Sequence, residues 1–227
     1  MRGPGRGLLA ALAVAAVGFL IVPSLIAGAP VESEMGLVQK IFYFHVPCAA
    51  VMFLATFVCA GGGLAYLFKG SELGDRVAEA AGELGAVFGV CVLVTGPLWA
   101  RKAWGVWWQW DARLTTSLLL WLALLAYLLA RRFGGPAAKK VAAALGLFAA
   151  VDVPLVYVSV RIWRTLHPNT AVVRTMDPAM RPAFWGSFAL IFLVAAVLFT
   201  LRLRLAQTRA KLAELEIAMD DRLETRT

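Results

Sequence analysis

The sequence predicts an all-α integral membrane protein with six transmembrane helices and an amphipathic C-terminal helix. Of its 227 residues, 61% are hydrophobic and only 16% are charged, and the mean hydropathy is +0.76. A soluble domain is about 45–50% apolar and about 25% charged. The composition therefore excludes an ordinary soluble domain, a disordered chain and a disulfide-rich secreted module, and it leaves a polytopic membrane protein.

Six mostly uncharged runs are long enough to cross a bilayer. The fifth run contains one acid, Asp152, and the third is preceded by Glu79 and Glu83. The chain has no tandem repeat and no low-complexity segment, so we expect one membrane domain over residues 1–202. The predicted spans are 8–29, 41–68, 84–100, 114–130, 141–160 and 183–201.

The first run has an alternative interpretation as a signal peptide. Arg2 and Arg6 precede it, and small residues (27–29) end it, as in a cleavable leader. A signal core has about 7–15 apolar residues, whereas this run has 22. The greater length favours a retained transmembrane span.

The basic residues predict which side of the membrane each loop faces. With a cytoplasmic N-terminus, 14 of the 22 Lys and Arg residues fall inside and eight fall outside. Both termini are therefore expected in the cytoplasm. The net charge of +8 then indicates contact with anionic lipid and does not indicate nucleic-acid binding. Seven of the eight outer basic residues lie in the third-to-fourth and fifth-to-sixth connections, which suggests a negatively charged ligand or partner there.

The tail, residues 203–227, predicts a cytoplasmic amphipathic helix. Its apolar residues recur mostly every three or four positions, and charged residues such as Arg209 and Glu216 fill the other side. Such a helix could lie on the membrane surface or dock on a partner subunit, and both interpretations stay open. The apolar positions are Leu205, Leu212, Leu215, Met219 and Leu223.

The connector between the third and fourth spans, residues 99–115, is unusually rich in tryptophan. Five of the eight tryptophans lie within twelve residues, whereas an interfacial aromatic belt needs only one or two at each span end. This surface predicts a flat apolar ligand, with Asp111 and Arg113 anchoring its polar edge. The five are Trp99, Trp104, Trp107, Trp108 and Trp110.

The two histidines, His45 and His167, are predicted to share a face with this connector. His45 lies near the start of the second span and His167 follows the fifth, so an odd number of crossings separates them. A lone interfacial histidine is usually only a polar helix end. Two imidazoles beside an aromatic surface and several arginines suit haem, with nitrogen ligands for iron and guanidinium groups for the propionates. The motif CxxCH is absent, so the haem would be held non-covalently.

Zinc is a poorer match, because it would need further ligands beside the two histidines. The chain has no Walker A motif and no convincing nucleophile constellation, so we expect it not to be an enzyme. Cys48, Cys59 and Cys91 fall inside apolar runs and are expected to pack as small apolar side chains.

These residues resemble a known family. The segment WWQWDARLT (107–115) resembles the WWD signature of the haem-handling proteins of cytochrome c maturation. The segments KIFYFHVP (40–47) and VDVP (151–154), with His167 beyond them, are similar to the haem exporter protein C (CcmC) family. The resemblance covers most of residues 40–201. The chain departs from it at Asp152, where asparagine is expected.

The resemblance implies a haem-transport subunit in the bacterial inner membrane. It would hold haem b transiently at the periplasmic face, with His45 and His167 as axial iron ligands. The chaperone CcmE would receive the haem, CcmD would assist, and CcmA with CcmB would drive release of the loaded chaperone. The expected haem-contacting residues are Trp104, Trp107, Trp108, Trp110, Asp111 and Arg113, together with Arg174 and Arg181, which are candidates by location alone.

Three other functions remain open on the sequence. A b-type cytochrome would keep two histidine ligands on a permanent haem for electron transfer. A haem lyase of the WWD family would also have to bind an apocytochrome, for which this chain has little extramembrane mass. A purely structural membrane subunit would leave the tryptophan cluster unexplained.

Overall fold

A computed structural model describes residues 5–168 and 172–224 of the chain, and within these ranges it is an all-α bundle. Six of the helices are long and apolar enough to cross a membrane, which confirms the predicted fold class. The helices are α1 (Arg6–Gly28), α2 (Phe42–Lys69), α3 (Glu72–Trp104), α4 (Ala112–Phe133), α5 (Ala138–Ile162), the short α6 (Val172–Thr175) and α7 (Arg181–Glu224).

Helix α2 is the centre of the bundle and packs against α3, α5 and α7. Helix α4 pairs with α5 and also contacts α3, while α1 packs chiefly on α7. The central core contains Met52 of α2, Leu120 and Leu124 of α4, and Val156 of α5, all of which are buried. The contact of α1 with α7 uses Ala15, Val22 and Leu190. The interpretation of α1 as a retained span stays a prediction.

Small residues allow α2 and α3 to approach closely. A Cβ added at Gly62 would lie 2.5 Å from the carbonyl oxygen of Gly74 and 2.8 Å from the amide nitrogen of Ala78. A Cβ at the neighbouring Gly61 would meet no atom within 4 Å. Close backbone contact through small residues is a common way to hold helices together in a membrane, where apolar burial gives little net drive.

We therefore expect Gly62→Ala to destabilise the bundle and Gly61→Ala to leave it nearly unchanged. The new methyl at position 62 would force α2 away from α3, and overpacking of this kind costs about 1–3 kcal/mol. The thermal unfolding midpoint of each variant in the same nanodisc measures the difference. Equal midpoints for the two variants would contradict this packing.

Helix α3 begins earlier than the predicted span of 84–100. Ser71 caps its N-terminus, since the hydroxyl oxygen accepts a hydrogen bond from the amide of Gly74 at 3.0 Å. Acidic residues in the first turn, Glu72 and Asp75, suit the positive end of the helix dipole. The hydropathy pattern placed the boundary where the charges stop, whereas the capping residue places the start of the helix at Glu72.

The last predicted span and the predicted tail form one continuous helix, α7, of 44 residues. Beyond residue 203 its apolar side chains are exposed, as at Leu205, Leu212, Leu215 and Met219. The two interpretations of the tail, a membrane-surface helix or a docking helix, stay predictions. Asp152 is buried in α5, and its carboxyl oxygens have no hydrogen-bond partner among the described residues.

Candidate functional site

A cavity of about 510 Å³ lies at one end of the bundle. The start of α2, the end of α3, the start of α4, the end of α5 and the start of α7 all reach this end, so five helices contribute to its wall. Its size is within the range of about 300–1,000 Å³ that is typical of cofactor pockets. The wall is mainly apolar and aromatic, with Phe53, Trp99, Trp104, Trp108, Phe184 and Trp185 among its residues.

His45 and His167 both line this cavity. His45 lies in the first turn of α2, and His167 lies in the loop that follows α5. They are 122 positions apart in the sequence, and the odd number of crossings between them brings them to the same end. The structure therefore brings together the two side chains that the sequence analysis singled out as iron ligands.

The hydrogen bond of His45 fixes which of its nitrogens is free. Its Nδ1 lies 2.8 Å from the hydroxyl oxygen of Thr95. That hydroxyl donates its own hydrogen to the carbonyl of Cys91 at 2.6 Å, so it must accept from the imidazole. Nδ1 of His45 consequently carries the proton, and Nε2 keeps a lone pair available to a metal.

His167 has the same tautomer by a different contact. Its Nδ1 lies 2.8 Å from the carbonyl oxygen of Pro168, which can only accept. Burial, with a further contribution from the nearby Arg113 guanidinium, lowers the pKa of His167 to about 4. The imidazole is therefore neutral at neutral pH, and its Nε2 lone pair is available to a metal.

The tryptophans of the connector divide into two groups. Trp104 and Trp108 line the cavity, together with Trp99, whereas Trp107 and Trp110 do not and are 58% and 76% exposed. Trp99 and Trp104 meet edge to face with ring centroids 4.8 Å apart. The predicted aromatic surface is therefore split between an inner wall and an outer face.

Buried hydrogen-bond donors in this wall lack partners. The indole nitrogens of Trp99 and Trp108 are buried and have no partner among the described residues. A buried donor without a partner is costly, so a ligand that brought an acceptor to it would be stabilised. Both donors are suited to a carboxylate, so the wall fits a ligand that carries acidic groups on an otherwise apolar body.

Asp111 holds the loop that carries His167. One carboxylate oxygen caps α4 by accepting from the amide of Leu114 at 2.8 Å. The other accepts from the hydroxyl of Thr165 and from the amide of Leu166, the latter at 3.2 Å. The amide of His167 in turn donates to the Thr165 hydroxyl at 3.1 Å. In the structure Asp111 does not line the cavity, and its contacts position the loop of His167.

The three candidate arginines have different surroundings. Arg113 lines the cavity and donates one hydrogen bond to the carbonyl of Val156, which leaves further guanidinium donors for a ligand. Arg181 does not line the cavity and contacts the carbonyl of Met176 at 3.4 Å. The side chain of Arg174 lies outside the described residues.

Sequence reasoning missed two residues that position the histidines, Thr95 and Thr165. Neither lies in a recognisable motif: Thr95 contacts His45 from 50 positions away, and Thr165 contacts Asp111 from 54 positions away. It also missed Phe184 and Trp185, which line the cavity from the start of α7.

Comparison with known proteins gives one consistent result. The family model described as "Heme exporter protein C" matches residues 5–222. A protein of that name from Bradyrhizobium diazoefficiens is 37% identical over 175 residues, which cover 76% of this chain and 65% of the relative. The Escherichia coli K12 protein of that name is 36% identical over 191 residues, covering 78% of this chain and 73% of the relative. The Rhodobacter capsulatus protein is 29% identical over 221 residues, covering 92% and 91%.

Proposed function

The chain belongs to the haem exporter protein C family, and from that membership we propose that it binds haem in the cavity and hands it to a haem chaperone. His45 and His167 would ligate the iron from its two sides. The observation that carries the proposal is the pair of imidazoles in one cavity, each with Nδ1 bonded to a protein oxygen, so that Nε2 is the nitrogen available to a metal.

The rest of the wall supports haem as the ligand. The macrocycle is a large flat apolar surface, which Trp104, Trp108 and the phenylalanines of the wall can cover. Its two propionates are carboxylates, and they match the unpaired indole donors of Trp99 and Trp108 and the guanidinium of Arg113. The haem would be haem b held without a covalent bond, because no cysteine lines this cavity.

The positions of His45 and His167 support a site that can release haem. His45 is fixed in a helix, whereas His167 lies in a loop that depends on the contacts of Asp111 with Thr165 and Leu166. A loop can open at lower cost than a transmembrane helix can move. The iron would therefore lose the His167 bond first, and the haem could leave towards the exposed Trp107 and Trp110.

We assign the cavity to the periplasmic side of the bacterial inner membrane, with both termini in the cytoplasm. The excess of basic residues in the segments at the opposite end supports this orientation. The family membership supports CcmE as the acceptor of haem and CcmA, CcmB and CcmD as neighbouring subunits. In this assignment the chain transports haem, and any ATP hydrolysis belongs to a partner.

Haem transfer tests the proposal. The full chain in nanodiscs, loaded with haem b, is mixed with purified CcmE or with apomyoglobin as a nonspecific acceptor. We expect haem to move to CcmE faster than to apomyoglobin, because a delivery protein releases its ligand to a specific partner. Haem that stays bound to the chain with both acceptors and cycles reversibly between ferrous and ferric would instead identify a b-type cytochrome.

Substitution of Thr95 tests the hydrogen bond to Nδ1 of His45, the ring nitrogen that would not bind iron. Thr95→Val removes the acceptor of Nδ1 without changing the side-chain volume much, so the ring loses its orientation and its fixed tautomer. We expect haem affinity to fall about 10- to 100-fold. Thr95→Ser keeps the hydroxyl and should bind haem nearly as the natural chain does. Equal affinities for the Val and Ser variants, by haem titration, would contradict the role of this hydrogen bond.

A further inference from the structure

A second cavity lies at the end of the bundle opposite the histidines. It has a volume of about 230 Å³ and lies between the first half of α3, the end of α4, the start of α5 and the middle of α7. Unlike the histidine cavity it is lined mainly by charged side chains. The basic ones are Arg76, Arg131, Lys139, Arg202 and Arg209, and the acidic ones are Glu72, Asp75 and Glu79.

The three acids of this cavity are already paired. Glu72 contacts Lys139 at 2.6 Å, and Asp75 binds the guanidinium of Arg131 through both carboxylate oxygens. Glu79 lies 3.1 Å from Arg202 and 3.4 Å from Arg131. Each acid therefore already has a basic partner, and five basic side chains face three acids in this cavity.

Two of the basic side chains, Arg76 and Arg209, have no ion pair among the residues that the structure describes. The Nε of Arg76 is buried and also has no hydrogen-bond partner there. A buried guanidinium donor without an acceptor is unfavourable, and an anion beside it would supply that acceptor. Arg76 and Arg209 come from different helices, α3 and α7, so an anion between them would join these helices.

We propose that this cavity binds a phosphate group through Arg76 and Arg209. Guanidinium binds phosphate oxygens in a two-pronged geometry that a smaller anion such as chloride does not match. The phosphate could belong to an anionic phospholipid headgroup or to a small soluble phosphate compound, and the chemistry of recognition is the same. The site is independent of the haem site, because it lies at the other end of the bundle.

The test measures thermal stability of the full chain with two phosphate sources. In one arm the chain is in phosphatidylcholine nanodiscs with or without phosphatidylglycerol. In the other it is in phosphatidylcholine nanodiscs with inorganic phosphate, and sodium chloride of equal ionic strength is the control. We expect the unfolding midpoint to rise in at least one arm. A rise only with phosphatidylglycerol identifies lipid as the source, and a rise only with inorganic phosphate identifies a soluble compound.

The variants decide whether Arg76 and Arg209 are responsible. Arg209→Gln should weaken the apparent affinity for the active phosphate source by about tenfold, as expected for the loss of one charge-assisted contact. Arg76→Gln should do the same, and Arg76→Lys should keep part of the effect. Lys211→Gln and Lys69→Gln remove exposed charges outside the cavity and should behave as the natural chain does.

Two results would overturn the proposal. The first is no rise of the unfolding midpoint of the natural chain in either arm. The second is an unchanged affinity of Arg209→Gln for the active phosphate source. Arg209 is exposed on α7, so this variant is the one least able to disturb folding. All of these variants should keep the haem spectrum of the natural chain, so failure here does not bear on the haem proposal.

Discussion

Replacing His45 with alanine should strip the chain of most of its haem and change the Soret band of what remains. In the proposed site Nε2 of this imidazole would supply one axial bond to iron, and neither a cysteine nor a third histidine lines the cavity to replace it. His167→Ala should produce the same kind of change. We expect haem occupancy to fall by more than about tenfold for each, since even a residue that only orients a ligand is worth that much.

Rescue separates ligation from folding in this experiment. His45→Gly leaves space for free imidazole, which should restore the original Soret band when it is added to the haem-loaded variant. Ser117→Ala, which also changes the cavity wall, is the matched control and should keep the natural spectrum. An unchanged spectrum and occupancy in the variant that lacks both histidines would disprove the assignment.

The tryptophans should separate into residues that hold haem and residues that deliver it. Changing Trp104 and Trp108 together to alanine removes two rings from the wall, and burial of each contributes about 1.5–3 kcal/mol. We expect haem retention to fall by about a hundredfold or more, with the axial-ligand spectrum of the remaining haem unchanged. Haem dissociation into excess apomyoglobin measures this loss.

The exposed pair should behave in the opposite way. Changing Trp107 and Trp110 to alanine leaves the wall intact but removes large aromatic side chains from an outer face, where such residues often dominate protein contacts. Haem retention should stay as in the natural chain, and the rate of transfer to CcmE should fall by about tenfold. A normal rate of haem transfer from this variant would refute the delivery role of Trp107 and Trp110. Normal haem retention in the variant that lacks Trp104 and Trp108 would refute their role in holding haem.

The fold could be predicted largely because the bilayer leaves few choices. An uncharged run long enough to cross it must become a helix, so six runs gave six helices. The predicted span of 84–100 covers only part of α3, because hydropathy responds to charge and not to pairing. Asp75 is buried because Arg131 of α4 neutralises it, and no local pattern reveals a partner 56 residues away.

For the site, the sequence could predict only which residues lie at the same end of the bundle. Counting crossings placed His45 and His167 at one end, and the cavity includes both. The same reasoning could not tell which indoles face inward, because Trp107 and Trp108 are neighbours in the connector yet only one lines the cavity. It also could not reveal the contacts of Asp111 with Thr165 and Leu166, because they depend on the fold of a distant loop.

The continuity of α7 has a mechanical consequence. Its 44 residues form a rod roughly 66 Å long, and Arg202, held by Glu79 and Glu83 of α3, lies near its midpoint. Arg202 thus divides the helix into two halves of about 32 Å each. Phe184 and Trp185 lie in the first half and line the histidine cavity, while the second half carries the exposed apolar residues of the tail. Because α1, α2 and α3 all pack against α7, a sideways load on the tail would act first on the ion pairs between Arg202 and α3, and α7 links that point directly to Phe184 and Trp185 in the cavity wall.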